Sequence, residues 1–273
     1  MSEPVNPSAP RGSSLLWLLT LATLGLVTAN VWLLNKSLNE RRQENLERQF
    51  WIVSQPGFTA DQRNAAFLAL VQQHNFEWGS AKLHGLELDE INLSGVVLRR
   101  ADFHDTSFKN AVLNHADFSS TILRTTVFDG ANLEQADINS SDLYRSKLIS
   151  VNLKRANLQA SICQEADFSD SDMHVADFSE ADLLLAKLDS TRLGGVNFTS
   201  ARLEAASFKK ADLSLARLSG ADLKDTDFTD ANWWRARGLT SADLARLTKD
   251  FPPSTNAPAK LQQDFKAWIN SRK

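Results

Sequence analysis

His84, His104, Asp102 and Asp105 are residues whose types could hold a metal ion, because imidazole and carboxylate groups both ligate zinc. Arg124, 20 residues beyond His104, opposes a bound cation, so the histidines are read as solvated surface residues. His74 has no second histidine, cysteine or carboxylate at helical spacing and reads as a helix-end residue. The chain holds one cysteine, Cys163, which excludes a disulfide framework and a cysteine-rich zinc site. A Gly-rich phosphate loop, a nucleophile elbow and a zinc-protease motif are all absent from the sequence. The expectation is a non-enzymatic protein with no catalytic, cofactor-binding or metal-binding residues.

The elements that position these side chains follow from a period of five. From Leu83, every fifth residue through Leu93, Phe103, Phe128, Leu153, Cys163, Leu183 and Phe208 to Trp233 is apolar, giving 31 consecutive centres: 18 Leu, nine Phe, and one each of Ile, Cys, Met and Trp. Two residues before each centre, 27 positions from Ala101 to Ala231 hold 16 Ala, with Ser, Thr or Val at the rest. The residue between is often Asp or Asn, as in Ala101-Asp102-Phe103 and Ala131-Asn132-Leu133. Five fits neither the helical nor the strand period, but suits a chain that runs one short side and then turns a corner. The many Asp residues are thus repeat elements rather than paired catalytic carboxylates.

This pattern over residues 81–235 resembles the pentapeptide-repeat family, whose unit is Ala-Asp/Asn-Leu/Phe followed by two variable residues. The resemblance implies an all-β solenoid, a right-handed quadrilateral β-helix with four repeats per coil and with the centre and small residues inside. The 31 repeats then make 7.75 coils, a rod about 37 Å long at ~4.8 Å per coil. Residues 20 apart stack, which places His84 over His104. Cys163 falls at an inward centre and reads as a small core hydrophobe.

The flanking segments carry their own signals. Residues 1–13 read as a disordered leader, and 14–34 as a transmembrane helix, because Gly12–Asn35 holds no charged residue. A cleaved signal peptide is the rival reading, with small residues at Val27-Thr28-Ala29, but the apolar run continues through Leu34. Lys36, Arg41, Arg42 and Arg48 outnumber Arg11, which puts the C-terminal side in the cytoplasm. The expectation is a single-pass protein of the bacterial inner membrane.

Residues 35–80 form a helical linker and N-terminal cap, with a capping box at Thr59 and Gln62, a helix ending near Asn75, and Phe76 and Trp78 behind it. Residues 236–273 form a C-terminal helical cap. Its last helix, with Leu261, Phe265, Trp268 and Ile269 on one side, reads equally as a lid or as a homodimer contact of the kind the family uses.

Charge bounds the partners. The chain has 30 basic and 33 acidic residues, a net −3, which argues against direct nucleic-acid binding. Within 81–235 the balance is 24 acidic to 17 basic, a net −7. The sides built on Leu83 and on Leu88 are acidic; those on Leu93 and on Leu98 are close to neutral. Leu184 and Leu185, beside Ile162, form an outward apolar spot. With Asp167, Asp170, Asp227 and Asp230 they make the candidate contact for an unidentified protein partner. The leading reading is a membrane-tethered protein-protein interaction scaffold. The alternative, implied by the resemblance, is a DNA mimic that binds a DNA-processing enzyme such as gyrase. Duplex DNA carries about one charge per 1.7 Å, or roughly 22 over ~37 Å, so the rod's charge falls well short.

Overall fold

The computed structural model describes residues 12–55, 57–72, 78–79 and 81–272, with side chains from residue 24 onward. The chain divides into two compact units, residues 1–51 and 52–273. The first is dominated by helix α1 (Gly12–Ser54), which runs unbroken from the apolar stretch into Lys36, Glu40, Arg41, Arg42 and Glu44. Among the described residues, no helix is long and apolar enough to cross a membrane. This overturns the expected single-pass inner-membrane placement and the orientation drawn from it. Helix α1 is not apolar throughout, because charges begin at Lys36 and recur along the rest of it. The expected leader falls outside the described residues apart from Gly12 and Ser13, whose backbone is helical.

The second unit is a β-helical solenoid. Parallel bridges join residues 20 apart, from Lys82↔Asp102 to Arg217↔Arg237, so four repeats close one coil. Each bridge is isolated, and no extended strand occurs among the described residues. The reason lies in the last residue of each repeat from Gly85 to Asp230, which adopts a left-handed conformation, as at Asp105 (φ 58°), Leu185 (φ 60°) and Asp230 (φ 57°). A turn every five residues leaves room for one bridged residue per side.

Backbone hydrogen bonding explains the repeat's second letter, because buried or laddered N–H groups need acceptors. In the repeat around Phe103, Asp102 N–H donates to Ala81 O on the coil before, while Phe103 and Asp105 donate to Ile122 O and Arg124 O on the coil after. Thr106 N–H closes the turn on Phe103 O. The remaining N–H, that of His104, donates to Asp102 Oδ1 at 3.2 Å. Asn132, Asp142, Asn152, Asp167, Asp182 and Asp227 do the same two residues on. Where Ser107, Lys147 or Ser207 takes that place, an aspartate of the preceding coil supplies the oxygen instead. Asp89, Asp129 and Asp189 accept from the N–H groups of Lys109, Ile149 and Lys209, each at 3.0 Å. These side chains act as local turn acceptors, the role that favours Asp and Asn in turns generally.

All 31 centres are buried, so the rod's interior is filled by side chains. Phe108 stacks on Phe128 and Phe208 on Phe228, each pair with centroids 5.2 Å apart. The small inward residues that carry hydroxyls are satisfied. Thr106, Ser141 and Ser171 donate to the carbonyls of Leu83, Phe118 and Leu148, 23 residues earlier. Cys163 is fully buried, and burial pushes its thiol up to about 12. We expect Cys163 to stay unmodified by a thiol reagent under native conditions and to react fully in denaturant, which a spectroscopic thiol titration will check.

Helical caps close the ends. Helix α2 (Ala60–Val71) starts at the Thr59 capping box, where Thr59 Oγ1 accepts from Gln62 N–H and Gln62 Oε1 from Thr59 N–H. It ends four residues before the expected Asn75; residues 73–77, including His74 and Phe76, lie outside the described residues. Phe67 is fully buried against Trp78 and Phe103, at 5.2 and 5.9 Å between centroids. The first coil has carbonyls that no earlier coil can serve, and α2 serves them. Arg63 Nη2 donates to His84 O at 2.6 Å and Asn64 Nδ2 to Glu87 O at 2.6 Å, while Arg63 Nε donates to Val53 O at 3.0 Å.

At the other end, Trp233–Arg235 forms a short 3₁₀ turn, followed by α3 (Ser241–Asp250) and α4 (Ala259–Asn270). Arg246 Nη2 donates to Leu223 O at 2.9 Å, the place a hydroxyl 23 residues on would take inside the rod. The last helix packs on the end of the rod: Phe265 and Trp268 lie against Trp234 and Trp233, at 4.9 and 5.4 Å between centroids.

Candidate functional site

The side of the rod built on Leu83, Phe103 and the centres stacked with them carries the outward apolar spot. Leu185 is 50% exposed at its left-handed turn position, Leu184 is half-buried, and Ile162 is exposed on the coil before. Ile122, two coils earlier than Ile162, is exposed in the same column. Between these aliphatic residues stands Tyr144, the chain's one tyrosine. Arg124 and Arg145 lie over its ring at 5.7 and 4.9 Å, and its hydroxyl donates to Glu165 Oε1 at 3.1 Å. Arg145 is also bonded to Glu165 Oε2 at 2.8 Å, and Arg124 to Asp142 Oδ2 at 2.6 Å. The Arg145 hydrogen bond holds Glu165 below the usual carboxylate range.

Sequence reasoning missed Tyr144 and Arg145, and weighed Arg124 only as a charge opposing a metal ion. Their signal was the lone tyrosine at an outward position on the same side as Leu184, with arginines one coil and one residue away. Tyr and Arg anchors among aliphatic neighbours are the composition of protein interface centres.

The four candidate aspartates have structural partners to different degrees. Asp167 accepts from the N–H and hydroxyl of Ser169, at 3.1 and 2.6 Å, and lies 3.6 Å from Lys187 Nζ. Asp227 accepts likewise from Thr229 and pairs with Lys209 Nζ at 3.3 Å. Burial would raise the Asp227 carboxyl, but the Thr229 and Lys209 bonds hold it below the usual range. Asp230 is tied to the cap, accepting from the N–H and Oγ of Ser254 at 2.8 and 3.0 Å. Asp170 is exposed at its corner. The structure does not gather these four with Leu184 and Leu185 into one site: the leucines sit on one side, the aspartates on the next.

Cross-coil pairing extends along the rod, in Arg99–Asp117, Lys154–Asp172, Arg202–Asp182 and Lys224–Glu204. A groove of about 680 Å³ lies between the last coil and α4, lined by Lys210, Asp212, Asp230, Arg235, Lys260 and Asp264 among others. Its carboxylates are engaged: Asp212 by Ser214 and Asn232, Asp230 by Ser254, and Asp264 by Trp234 and Arg235. His84 and His104 do stack, with rings 4.6 Å apart and 12° from parallel. No metal-holding group of three or more His, Cys, Asp or Glu residues occurs among the described residues.

A family model described as pentapeptide repeats, in eight copies, matches residues 80–114, 111–149, 152–189 and 197–232, over half of the chain. Solved structures similar to the chain include HetL, a pentapeptide repeat protein involved in heterocyst differentiation regulation from the cyanobacterium Nostoc sp. strain PCC 7120. It is 25% identical over 61% of this chain and 95% of its own, with a TM-score of 0.29. Full-length QnrB1, a plasmid-mediated fluoroquinolone resistance protein, is 17% identical over 61% and 97%, with a TM-score of 0.32. A thylakoid-lumen pentapeptide repeat protein from Arabidopsis thaliana is 22% identical over 66% and 86%, with a TM-score of 0.17. No curated protein matches the chain.

Proposed function

Given that the chain belongs to the pentapeptide-repeat family, we propose that it is a non-enzymatic protein-protein interaction scaffold whose contact centres on Leu184, Leu185 and Tyr144. The observation that carries this reading is the outward composition of one side of a rod whose interior is filled. Ile122, Ile162 and Leu185 stand exposed around an Arg-flanked tyrosine held in place by Glu165. A solenoid holds such side chains on a fixed grid, so a partner meets them without an ordering cost of the backbone.

The alternative, a DNA mimic acting on gyrase, draws on the acidic sides. Its weakness is that the acids have other duties. Asp167 and Asp227 close their own turns, Asp230 anchors the cap, and Asp142, Asp182 and Glu204 are paired with arginine or lysine.

The test is affinity capture with the full chain against a Tyr144→Ala, Leu185→Glu double variant and an Asp170→Lys control, alongside a gyrase supercoiling assay. The scaffold reading expects a partner captured by the wild type and Asp170→Lys but lost by the double variant, with no gyrase inhibition at micromolar protein. Equal capture by the double variant would remove this contact, and gyrase inhibition sensitive to Asp170→Lys would put the mimic first.

A further inference from the structure

The N-terminal seal of the rod contains a pair of facing imidazoles with an unusual set of neighbours. His84, on the first coil, and His104, on the second, lie ring over ring at 4.6 Å. His84 Nδ1 is buried and has no hydrogen-bond partner. The backbone carbonyl of the same residue is the acceptor of Arg63, the side chain by which α2 holds the coil end. Neighbouring Gly85 O also accepts from Arg63, at 3.5 Å.

Among the described residues, the charged and titratable groups around His84 are these. Helix α2 presents the Arg63 guanidinium; the first coil presents Lys82; the second presents His104 and Asp102. The two rings differ in their surroundings. His104 Nδ1 lies 2.7 Å from Asp102 Oδ1, and its Nε2 lies 4.0 Å from Asp105 Oδ2. A proton on His84 finds no acceptor at Nδ1, and both the His104 ring and the Arg63 charge act on it.

We infer that the His84–His104 stack is an acid-sensitive latch: a proton on His84, which has no acceptor at Nδ1 and whose carbonyl holds Arg63, loosens the hold of α2 on the first coil. This is a conformational device of the fold and is independent of the proposed partner contact.

The sign follows from linkage. Burial, then the His104 and Arg63 charges, lower the His84 proton affinity in the folded state, with Asp102 opposing. The unfolded chain therefore binds the extra proton more readily, and the stability of the seal, full above the ordinary histidine value of about 6.5, falls as pH drops below it. The effect belongs to the end of the rod, because stability in a solenoid is a sum of local and nearest-neighbour terms.

Hydrogen exchange of the full chain, corrected for the intrinsic pH dependence of exchange, separates the possibilities. Between pH 7.5 and pH 5.5, protection of the α2 amides (residues 60–71) should fall by about tenfold, because the end of the rod opens more readily once His84 is charged, while residues 143–163 stay unchanged. His84→Gln, which keeps a polar planar side chain but cannot charge, should keep α2 protected at both pH values. His104→Gln should make the profile shallower without abolishing it, since burial and Arg63 still act on His84. A wild-type profile flat in pH would overturn the latch, as would variants that retain the wild-type pH dependence. Should His84→Gln lose α2 protection even at pH 7.5, the His104→Gln profile decides alone: a profile shallower than wild type supports the latch, and a wild-type-like one refutes it.

Discussion

Leu153→Asp is expected to abolish the cooperative thermal transition of the rod or to leave the protein aggregated, whereas Lys154→Asp should lower the melting temperature by only a few degrees. Leu153 is an inward centre with no exposure, and its N–H is laddered to Asp172 O at 2.8 Å. A carboxylate there has neither water nor a cation, and an unpaired buried charge costs several kcal/mol, a large part of a domain's total of about 5–15 kcal/mol. The lesion also falls mid-rod, where the coils before and after both depend on it for packing. Lys154, the next residue, points outward with its side chain 44% exposed and pairs with Asp172 at 3.1 Å. Its reversal removes an exposed ion pair and sets two carboxylates near each other, a cost of about 0.2–1 kcal/mol. Circular dichroism melts of the two variants measure the difference, and similar melting would contradict the inward assignment of Leu153.

Truncating the last centre should open the rod from its C-terminal end. Trp233 is fully buried, donates from Nε1 to Phe251 O at 2.9 Å, and packs edge-on to Trp234, Phe265 and Trp268. Trp233→Ala removes the ring on which α4 and the Phe251 segment rest, and such truncations cost about 3–5 kcal/mol. The first expected product of limited proteolysis is a rod trimmed of α3 and α4. Trp268→Ala, at a half-buried position on the outer side of the same cluster, should cost less. If both variants resist protease as the wild type does, the cap is held by other contacts, foremost the Asp264 bonds to Trp234 and Arg235.

The phase of the repeat was legible because every core side chain is local to a five-residue unit: once Leu83 and Trp233 share one register, Leu153 and Cys163 must point inward. The bonds of Asp102 or Asp167 to the N–H two residues on were not read, although they too are local; an Asp at that place reads as charge until the turn geometry is known. What the sequence pattern could not show was anything depending on how a helix is laid across a coil end. Arg63 and Arg246 look like surface cations in their helices, yet both serve terminal carbonyls. Asp230 has the same repeat position as Asp170, but a segment 24 residues later supplies Ser254 to it. The apolar stretch before Leu34 misled for a related reason: the charges from Lys36 onward were taken as the flank of a span, whereas they continue the same helix.

The spacing of the bridges sets a grammar for insertions and deletions. Because every bridge joins residues 20 apart, one inserted residue turns core side chains outward for the remainder of the rod and severs its ladder. Five inserted residues keep the core but carry everything downstream round by one side, so that a surface assembled from successive coils, such as Tyr144 with Leu185, is split between two sides. Twenty inserted residues preserve both. Duplication of one whole coil is therefore the smallest change in length that keeps the core and returns every side chain to its own side of the rod, with a surface that spans the duplication lengthened by one coil.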